Sequence, residues 1–344
     1  MVTPPTLPRI DAFAERTAAT EEAVLSPLAA RSYPARRVTP EPDSPLRTPF
    51  QRDRDRIVHA KAFRRLMHKT QVFISPEGDH YRTRLTHTLE ASGIARTVAR
   101  ALGLNEDLTE AIGLGHDLGH PPFGHIGEAV LDACLRERFG AAFRHFEQSL
   151  RVVERLERDG AGLNLCEPVR DGILCHSGRA PQPATPEGAI VRLVDRIAYI
   201  NHDIDDALRA GVLAPEELPA EEIEALGPTG SRRIDTLVRD LVEHSRVAGA
   251  IVQGAEAGAA MDGLRTFMFE RVYLGPEARR EHGRIETVLR TLFERYCAEP
   301  ERLPGGPVAE DGELAERVAD HLAGMTDRYC IREFEALTVP RSFA

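Results

Sequence analysis

The segment Leu114-Gly115-His116-Asp117-Leu118-Gly119-His120 decides the fold of this chain, because it sets a histidine beside an aspartate directly after apolar residues. A lone histidine lies upstream at His87, and an acidic residue lies downstream at Asp195. Polar groups beside an apolar segment are costly unless a charged partner meets them, and a metal ion does so directly. Two imidazoles and two carboxylates form a mixed ligand set that suits a catalytic divalent ion. We therefore predict four metal ligands: His87, His116, Asp117 and Asp195.

Outward from this segment, apolar residues recur at helical spacing. Two runs show the pattern: Ile57, Ala60, Phe63, Leu66 and Met67, and then Leu85, Leu89, Ile94, Val98 and Leu102. Strand-like alternation is scarce, so the sequence predicts an all-α protein. Nine prolines in the first fifty residues predict an extended Pro-rich arm over 1–45, with one short helix near residues 10–25. A helical core over 46–210 and a C-terminal helical region over 211–344 complete the predicted organisation.

The composition limits the class of protein. A chain of 344 residues can bury a sizeable core, and a net charge of −10 argues against a nucleic-acid coat or a membrane-surface protein. The five cysteines are odd in number and include no Cys-x-x-Cys, which argues against a disulfide framework or a thiolate zinc site. The sequence shows neither a signal segment nor an apolar run of membrane-spanning length. We expect a cytoplasmic enzyme without membrane association.

Histidines are concentrated around the metal-ligand segment. Six of the thirteen fall within one 66-residue stretch: His80, His87, His116, His120, His125 and His145. A zinc-protease helix is an alternative, since His116 and His120 lie four residues apart. That motif needs a glutamate in place of Asp117 and an uninterrupted helix, which Gly119 and the following prolines oppose. No P-loop and no Ser or Cys nucleophile setting is present.

The spacing of His87, His116-Asp117 and Asp195 resembles that of the HD phosphohydrolase superfamily. The flanking sequence is similar to its deoxyguanosine triphosphate triphosphohydrolase branch, the dNTPases, from about residue 45 to 335. These segments carry the resemblance: Arg47-Thr48-Pro49-Phe50-Gln51-Arg52-Asp53-Arg54-Asp55-Arg56-Ile57, Ala62-Phe63-Arg64-Arg65-Leu66, Arg82-Thr83-Arg84-Leu85-Thr86-His87, His116-Asp117-Leu118-Gly119-His120-Pro121-Pro122-Phe123-Gly124-His125, Asp195-Arg196-Ile197-Ala198-Tyr199 and Met325-Thr326-Asp327-Arg328-Tyr329.

The resemblance implies an HD-domain helical core whose metal holds the α-phosphate of a deoxynucleoside triphosphate (dNTP). Water would attack there and release a deoxynucleoside and intact tripolyphosphate. The physics is consistent, because a metal neutralises the charge that develops during phosphoryl transfer. The expected divalent ion is Mg²⁺ or Mn²⁺, with Fe, Co, Ni and Zn left open, as are one ion or two and the preferred base.

Two arginines flank the expected ligands. Arg84 lies three residues before His87 and Arg196 follows Asp195, so either guanidinium could grip phosphate oxygens. The resemblance also implies a basic residue at these positions in the family. We therefore predict phosphate contacts from both arginines.

Proton transfer has its own candidates. His125 and Glu128 lie three residues apart and share one face if a helix begins at Gly124, so they could act as a pair. We expect His120 to orient the phosphate or the leaving group. The resemblance implies that His145 is a further active-site histidine.

The resemblance also implies contacts to the sugar. Tyr199 and Asp203 lie four residues apart on one helical face and are similar to positions that pack against the deoxyribose and contact its 3′-hydroxyl. A tyrosine pressed against C2′ leaves no room for a 2′-hydroxyl. Gln71 is a further candidate near the sugar or the base.

Two other functions remain open. The same metal site would serve an HD hydrolase of a nucleoside monophosphate, an alarmone or a cyclic nucleotide. A dNTP-sensing, nucleic-acid-binding oligomer with slow turnover is the other alternative. The resemblance implies a homo-oligomer, dNTPs as activators as well as substrates, and single-stranded DNA as a partner. The arginines of the arm and of the segment that follows it are the candidate DNA contacts, and their mark would be salt-sensitive association. They are Arg31, Arg36, Arg37, Arg47, Arg52, Arg54 and Arg56.

Overall fold

The computed structural model describes residues 12–71, 82–305 and 311–340, and these ranges are built from helices. The α-helices are α1 Phe13–Val24, α2 Pro49–Val58, α3 Lys61–Arg65, α4 Arg84–Ala101, α5 Glu106–Gly115, α6 Gly124–Phe139, α7 His145–Arg151, α8 Glu167–Cys175, α9 Pro186–Arg209, α10 Ala220–Leu226, α11 Gly230–Ala248, α12 Ala255–Met268, α13 Pro276–Ala298, α14 Asp311–Ala323 and α15 Asp327–Thr338. Short 3₁₀ segments cover Leu66–His68, Pro215–Glu217 and Pro300–Arg302, and π-helical segments cover Val152–Leu156 and Phe269–Tyr273.

The all-α prediction is confirmed. Within the described ranges, extended pairing is limited to two isolated bridges, Arg37 with Cys166 and Thr70 with Thr83. The expected helix near residues 10–25 corresponds to α1. In the same ranges, no helix is both long enough and apolar enough to pass through a membrane.

Side-chain caps fix where the helices that carry the site begin. Thr83 accepts a hydrogen bond from the backbone N–H of Thr86, and the Thr86 hydroxyl accepts one from the backbone N–H of Thr83. This reciprocal cap satisfies N–H groups that a helix start leaves free, so α4 begins at Arg84. Asn105 caps α5 and Thr185 caps α9 in the same way, each with one side-chain bond.

A first apolar core joins α2, α4, α5, α8, α9 and the helices α10 to α12. In the centre of this core, the backbone of α8 lies very close to side chains of α5. A Cβ atom on Gly172 would lie 2.4 Å from Cδ1 of Ile112, so only glycine lets α8 lie this near α5. Ile112 of α5 and Val194 of α9 are both fully buried in this core, and each lies close in sequence to an expected metal ligand.

A second apolar core lies between α6 and the C-terminal helices α13, α14 and α15. Leu131 of α6 and Leu292 of α13 are both almost fully buried in it. Asp327, at the start of α15, accepts hydrogen bonds from the backbone N–H groups of Thr70 and Phe123. Through Asp327, helix α15 therefore fixes the segment before α4 and the loop before α6. A domain boundary near residue 210 stays a prediction, and apolar residues from both sides of it share the first core.

Candidate metal centre and active site

The expected metal ligands come together from three helices. α4 carries His87, the C-terminal end of α5 presents His116 and Asp117, and α9 carries Asp195. Nε2 of His87 lies 3.0 Å from Oδ1 of Asp195, and Nε2 of His116 lies 3.5 Å from Oδ1 of both Asp195 and Asp117. His87, His116 and Asp195 form one group with donor atoms spaced as a metal site requires, and Asp117 belongs to an adjoining group with His120 and His145.

His116 shows that these residues fit a metal ion. Its Nδ1 lies 2.7 Å from the carbonyl oxygen of Gly113 and donates to it, so Nε2 is the nitrogen that can offer a lone pair to a metal ion. Nε2 is buried and has no hydrogen-bond partner. A buried nitrogen left without a partner and facing two carboxylates has the electronic character and position of a metal ligand.

His116, Asp117 and Asp195 each change the pKa of the others. Burial disfavours the charged form of His116, yet the carboxylates of Asp117 and Asp195 raise its pKa to about 9. Burial also opposes ionisation of Asp117, but His116 and Arg84 hold the pKa of that carboxyl below its usual range. Burial opposes ionisation of Asp195 as well, but the neighbouring imidazoles of His116 and His87 hold its pKa well below the usual range. The site keeps its carboxylates ionised for a cation.

Arg84 belongs to this centre. Its Nη1 donates to Oδ2 of Asp117 at 2.8 Å, and both side chains are almost fully buried. The other two guanidinium nitrogens, Nε and Nη2, are buried without a partner. A Cβ atom on Gly124 would lie 3.1 Å from Nη2 of Arg84, and Gly124 adopts a positive φ of 58°. Glycine therefore leaves space beside this guanidinium at the start of α6.

The loop after Asp117 is held tightly in place. The Ser149 hydroxyl donates to the carbonyl of His116 at 2.6 Å and accepts from the backbone N–H of Gly119 at 2.9 Å. A Cβ atom on Gly119 would lie 2.1 Å from the backbone nitrogen of Ser149, so glycine is required where the loop meets α7. Lys69, itself buried, donates to the carbonyls of His120 and Ala323.

Four further predicted residues form a cluster beside Asp117. The rings of His120 and His145 stack with centroids 4.1 Å apart, and His120 Nε2 lies 3.8 Å from Oδ1 of Asp117. Glu128 lies 3.0 Å from Nδ1 of His145 and 3.6 Å from Nδ1 of His125. α6 does begin at Gly124, as the pairing of His125 with Glu128 requires.

The members of this cluster differ in exposure. The His125 side chain is 69% exposed, whereas Glu128 is buried. Although burial opposes ionisation, hydrogen bonds from His125 and His145 hold the pKa of Glu128 far below its usual range. Burial, together with nearby cations, holds the pKa of His120 well below its usual value, so that ring is neutral near pH 7. The cluster thus joins a buried carboxylate to an imidazole that solvent reaches.

His176 is a residue that the sequence did not assign to the site. Its Nδ1 donates to the carbonyl of Ile173 at 2.7 Å, and its Nε2 lies 3.3 Å from Nε2 of His145. Its ring also packs edge-on against His116, with centroids 5.0 Å apart. Burial holds its pKa near 3. The signal in the sequence was a histidine directly after an apolar helix end, the same setting as His116.

The predicted sugar contacts gain two partners that the sequence did not identify. The Tyr273 hydroxyl donates to Oδ2 of Asp203, and Oδ1 of Asp203 is buried without a partner. Arg265 Nε donates to the hydroxyl of Tyr199 at 3.2 Å. Burial raises the pKa of the Asp203 carboxyl to about 8. Tyr273 lies 70 residues from Asp203 along the chain, so no local pattern could have paired them.

The other two predicted substrate contacts have different surroundings. Oε1 of Gln71 is buried without a partner, and the Gln71 carbonyl borders Gly124. Arg196 instead directs its guanidinium to Asp262 on α12, with Nη2 2.5 Å from Oδ1. Arg84 is therefore bonded to an expected metal ligand, whereas Arg196 is bonded to a carboxylate at the surface.

Five of the candidate DNA-contacting arginines are paired with carboxylates within the protein. Arg37 bonds Asp53, and Arg47 and Arg54 bond Asp55. Two further arginines, Arg52 and Arg56, share Glu41. The structure therefore matches these five positive charges with carboxylates. DNA binding by the arm stays a prediction.

Comparisons with known proteins agree with this architecture. The HD domain family matches residues 84–200, which carry all four expected metal ligands, and the phosphohydrolase-associated domain family matches residues 251–336. A "deoxyguanosinetriphosphate triphosphohydrolase-like protein" of Caldanaerobacter subterraneus subsp. tengcongensis is 53% identical over 329 residues, covering 95% of this chain and 96% of its own.

Two further relatives have the same printed name. The protein of Clostridium perfringens (strain 13 / Type A) is 48% identical and covers 88% of this chain and 90% of its own. The protein of Desulfatibacillum aliphaticivorans is 44% identical and covers 92% and 95%. Identity at this level over nearly the full length confirms the resemblance. The chain belongs to the HD-domain phosphohydrolases, in the family of deoxyguanosinetriphosphate triphosphohydrolase-like proteins.

Proposed function

We propose that this protein hydrolyses deoxynucleoside triphosphates at the α-phosphate, releasing a deoxynucleoside and tripolyphosphate. The observation that carries the proposal is the buried guanidinium of Arg84, bonded to Asp117 on one side and free of partners at Nε and Nη2. A buried cation with two unused donors beside metal ligands suits phosphate oxygens. The printed names of the relatives, dGTP triphosphohydrolase-like, support the same substrate class.

The metal site is proposed to use His87, His116, Asp117 and Asp195. A divalent ion there would polarise the α-phosphorus and neutralise charge developing on its oxygens. Mixed nitrogen and carboxylate ligands suit Mn²⁺, and carboxylates with water suit Mg²⁺, which makes these the ions to test first.

Proton transfer is assigned to the cluster next to Asp117. Attack of water on the α-phosphorus breaks the bond to O5′, so water loses a proton and O5′ gains one. Glu128 is ionised and bonded to two imidazoles, and His125 is open to solvent, so this pair can pass a proton between site and solvent. The neutral ring of His120 lies next to Asp117 and would orient the phosphate. His145 positions Glu128 by bonding it through Nδ1 and the backbone N–H.

The deoxyribose is assigned to the surface formed by α9 and its neighbours. Asp203 keeps one buried oxygen free, and this oxygen would meet the 3′-hydroxyl of the sugar. Tyr199 lies one turn away on the same helix, and Tyr273 fixes the Asp203 carboxyl through a hydrogen bond. Two aromatic rings at this point would exclude a 2′-hydroxyl by steric contact. Gln71 is proposed to contact the sugar or the base, because its buried Oε1 lacks a partner.

Product analysis tests this proposal. Purified protein is incubated with each of the four dNTPs, singly and mixed, with Mg²⁺ or Mn²⁺, and products are separated by ion exchange. We expect tripolyphosphate and deoxynucleoside in equal amounts, both lost in His116→Ala. The mixtures reveal whether one dNTP activates hydrolysis of another. Orthophosphate or pyrophosphate as the product, or survival of dNTPs in every mixture, would exclude the proposed reaction.

A further inference from the structure

A polar chain leads away from the metal centre on the side of His87 opposite Asp195. Nδ1 of His87 lies 3.5 Å from Nδ1 of His202, and Nε2 of His202 lies 3.3 Å from Oε2 of Glu90. Both imidazoles are almost fully buried, and their rings meet edge to face with centroids 5.7 Å apart. No other part of the proposed reaction uses His202 or Glu90.

Arg82 fixes the outer end of this chain. Its Nε donates to Oε2 of Glu90 at 3.0 Å, and its Nη1 donates to Oδ1 of Asp206 at 3.0 Å. Nη1 also lies 3.4 Å from the carbonyl oxygen of His202. Glu90 and His202 are therefore held together by one guanidinium that bonds α4 to α9.

The hydrogen positions in this chain follow from its ends. Nε2 of His87 faces Asp195. If His87 holds a metal ion through Nε2, that nitrogen would offer its lone pair and the ring proton would reside on Nδ1. Nδ1 of His87 then donates to Nδ1 of His202, which must be unprotonated. The remaining proton of His202 would then be on Nε2, which lies 3.3 Å from Oε2 of Glu90. With these hydrogen positions, His87 donates to His202, and the Nε2 proton of His202 lies on the side of the Glu90 carboxylate.

We propose that His202, oriented by Glu90, is a positioning residue that fixes the ring orientation and tautomer of His87 for metal binding. The inference rests on the proposed function for the existence of the metal site. The outer nitrogen of a ligating histidine usually donates to a carboxylate, carbonyl or water, and this contact sets the metal affinity. Here a second imidazole stands between the ligand and the carboxylate. If His202 only stabilised the fold, metal affinity would not depend on whether the side chain at this position can accept a hydrogen bond from His87.

Metal affinity measured on the full chain tests the proposal. Metal-free protein is titrated with Mn²⁺, and free ion is followed by its electron paramagnetic resonance signal. His202→Leu removes both contacts, and we expect it to weaken Mn²⁺ binding by roughly 10–100-fold. Asparagine keeps an oxygen near the position of Nδ1, so His202→Asn should recover most of the affinity. Glu90→Gln should weaken binding by less than His202→Leu. His244→Asn, an exposed histidine on α11, is the matched control.

Turnover gives the second readout. If His202 acts through His87, excess Mn²⁺ restores the kcat of His202→Leu, because only occupancy of the site has fallen. Equal Mn²⁺ affinity in His202→Leu, Glu90→Gln and the parent protein overturns the proposal while leaving the proposed function in place. If His202→Leu does not fold, an unchanged affinity in Glu90→Gln overturns it. Failure of the parent protein to bind Mn²⁺ instead overturns the metal site, and this inference with it.

Discussion

Arg84 and Asp117 form a buried ion pair in which the arginine uses only one of its three guanidinium nitrogens. Asp117 is an expected metal ligand. The one hydrogen bond between the two residues therefore links the arginine expected to bind phosphate to the metal site expected to activate that phosphate. Removing the Arg84 side chain would leave the buried Asp117 carboxylate without a positive partner. This costs folding free energy unless a metal ion replaces the guanidinium.

The first prediction concerns this pair. Arg84→Ala should lower kcat/KM for a dNTP by roughly 100-fold or more, because positioned charge of this kind supplies several kcal/mol to phosphoryl transfer. Arg84→Lys should recover only part of that loss, since an ammonium cannot bond in two directions as the planar guanidinium does. Steady-state kinetics with saturating Mn²⁺ measures both. Arg196→Ala is the comparison, and an equal loss in that variant would contradict the special position of Arg84.

A second prediction separates proton transfer from metal binding. Glu128→Gln should lower kcat by about 10²–10⁴-fold, the usual contribution of a positioned acid or base. Its Mn²⁺ affinity should stay close to that of the parent protein, because Glu128 is bonded to His125 and His145 and not to an expected ligand. Glu147→Gln, an exposed glutamate on α7, serves as the control. Equal loss of metal and turnover would place Glu128 in the metal shell instead.

Sugar discrimination gives the third prediction. Tyr199→Ala should open space beside the deoxyribose and raise the turnover of a ribonucleoside triphosphate relative to its deoxy form. The ratio of kcat/KM for the two substrates measures the effect. Tyr199→Phe should keep the discrimination of the parent protein, because the ring and not the hydroxyl provides the steric contact. An unchanged ratio in Tyr199→Ala would assign the discrimination to another wall of the site, with Tyr273→Ala as the next variant.

The fourth prediction follows from the buried Asp203. Its pKa is about 8 in the folded protein, whereas an unperturbed aspartate has a pKa of about 3.9. Between these values the folded protein binds a proton that the unfolded chain has released, so this group makes the free energy of unfolding fall as pH rises. Asp203→Asn should remove that slope between about pH 4 and 8. Urea unfolding at several pH values compares the two proteins, with Asp235→Asn at the surface as control; parallel curves for Asp203→Asn and the parent would refute it.

A fifth prediction uses the raised pKa of His116. Below about pH 9 the metal-free ring holds a proton that an incoming ion must displace, so Mn²⁺ affinity should increase as pH rises. The increase should be up to about tenfold per pH unit when one proton is released. Calorimetric titration in buffers of different ionisation enthalpy counts the protons. A flat affinity between pH 6 and 8 would mean that His116 is already neutral in the metal-free protein.

Much of the site was accessible from local sequence alone. Metal ligands are polar residues that interrupt apolar helical patterns, and His87, His116, Asp117 and Asp195 each stand in such a setting. A helix start at Gly124 was only a condition in the sequence, and the structure meets it with a positive φ of 58° at this glycine. The pairing of His125 with Glu128 then follows from helical spacing.

The sequence by itself determined the all-α class and the family, and it proposed the set of expected ligand residues, because helical periodicity and ligand chemistry are properties of short segments. Only the tertiary structure showed how the two candidate arginines differ, since Arg84 bonds Asp117 while Arg196 bonds Asp262. It also decided that Tyr273 meets Asp203 and that His202 meets His87, contacts separated by 70 and 115 residues. Such contacts depend on how α4, α9 and the segment after α12 pack together, and no local pattern records that packing.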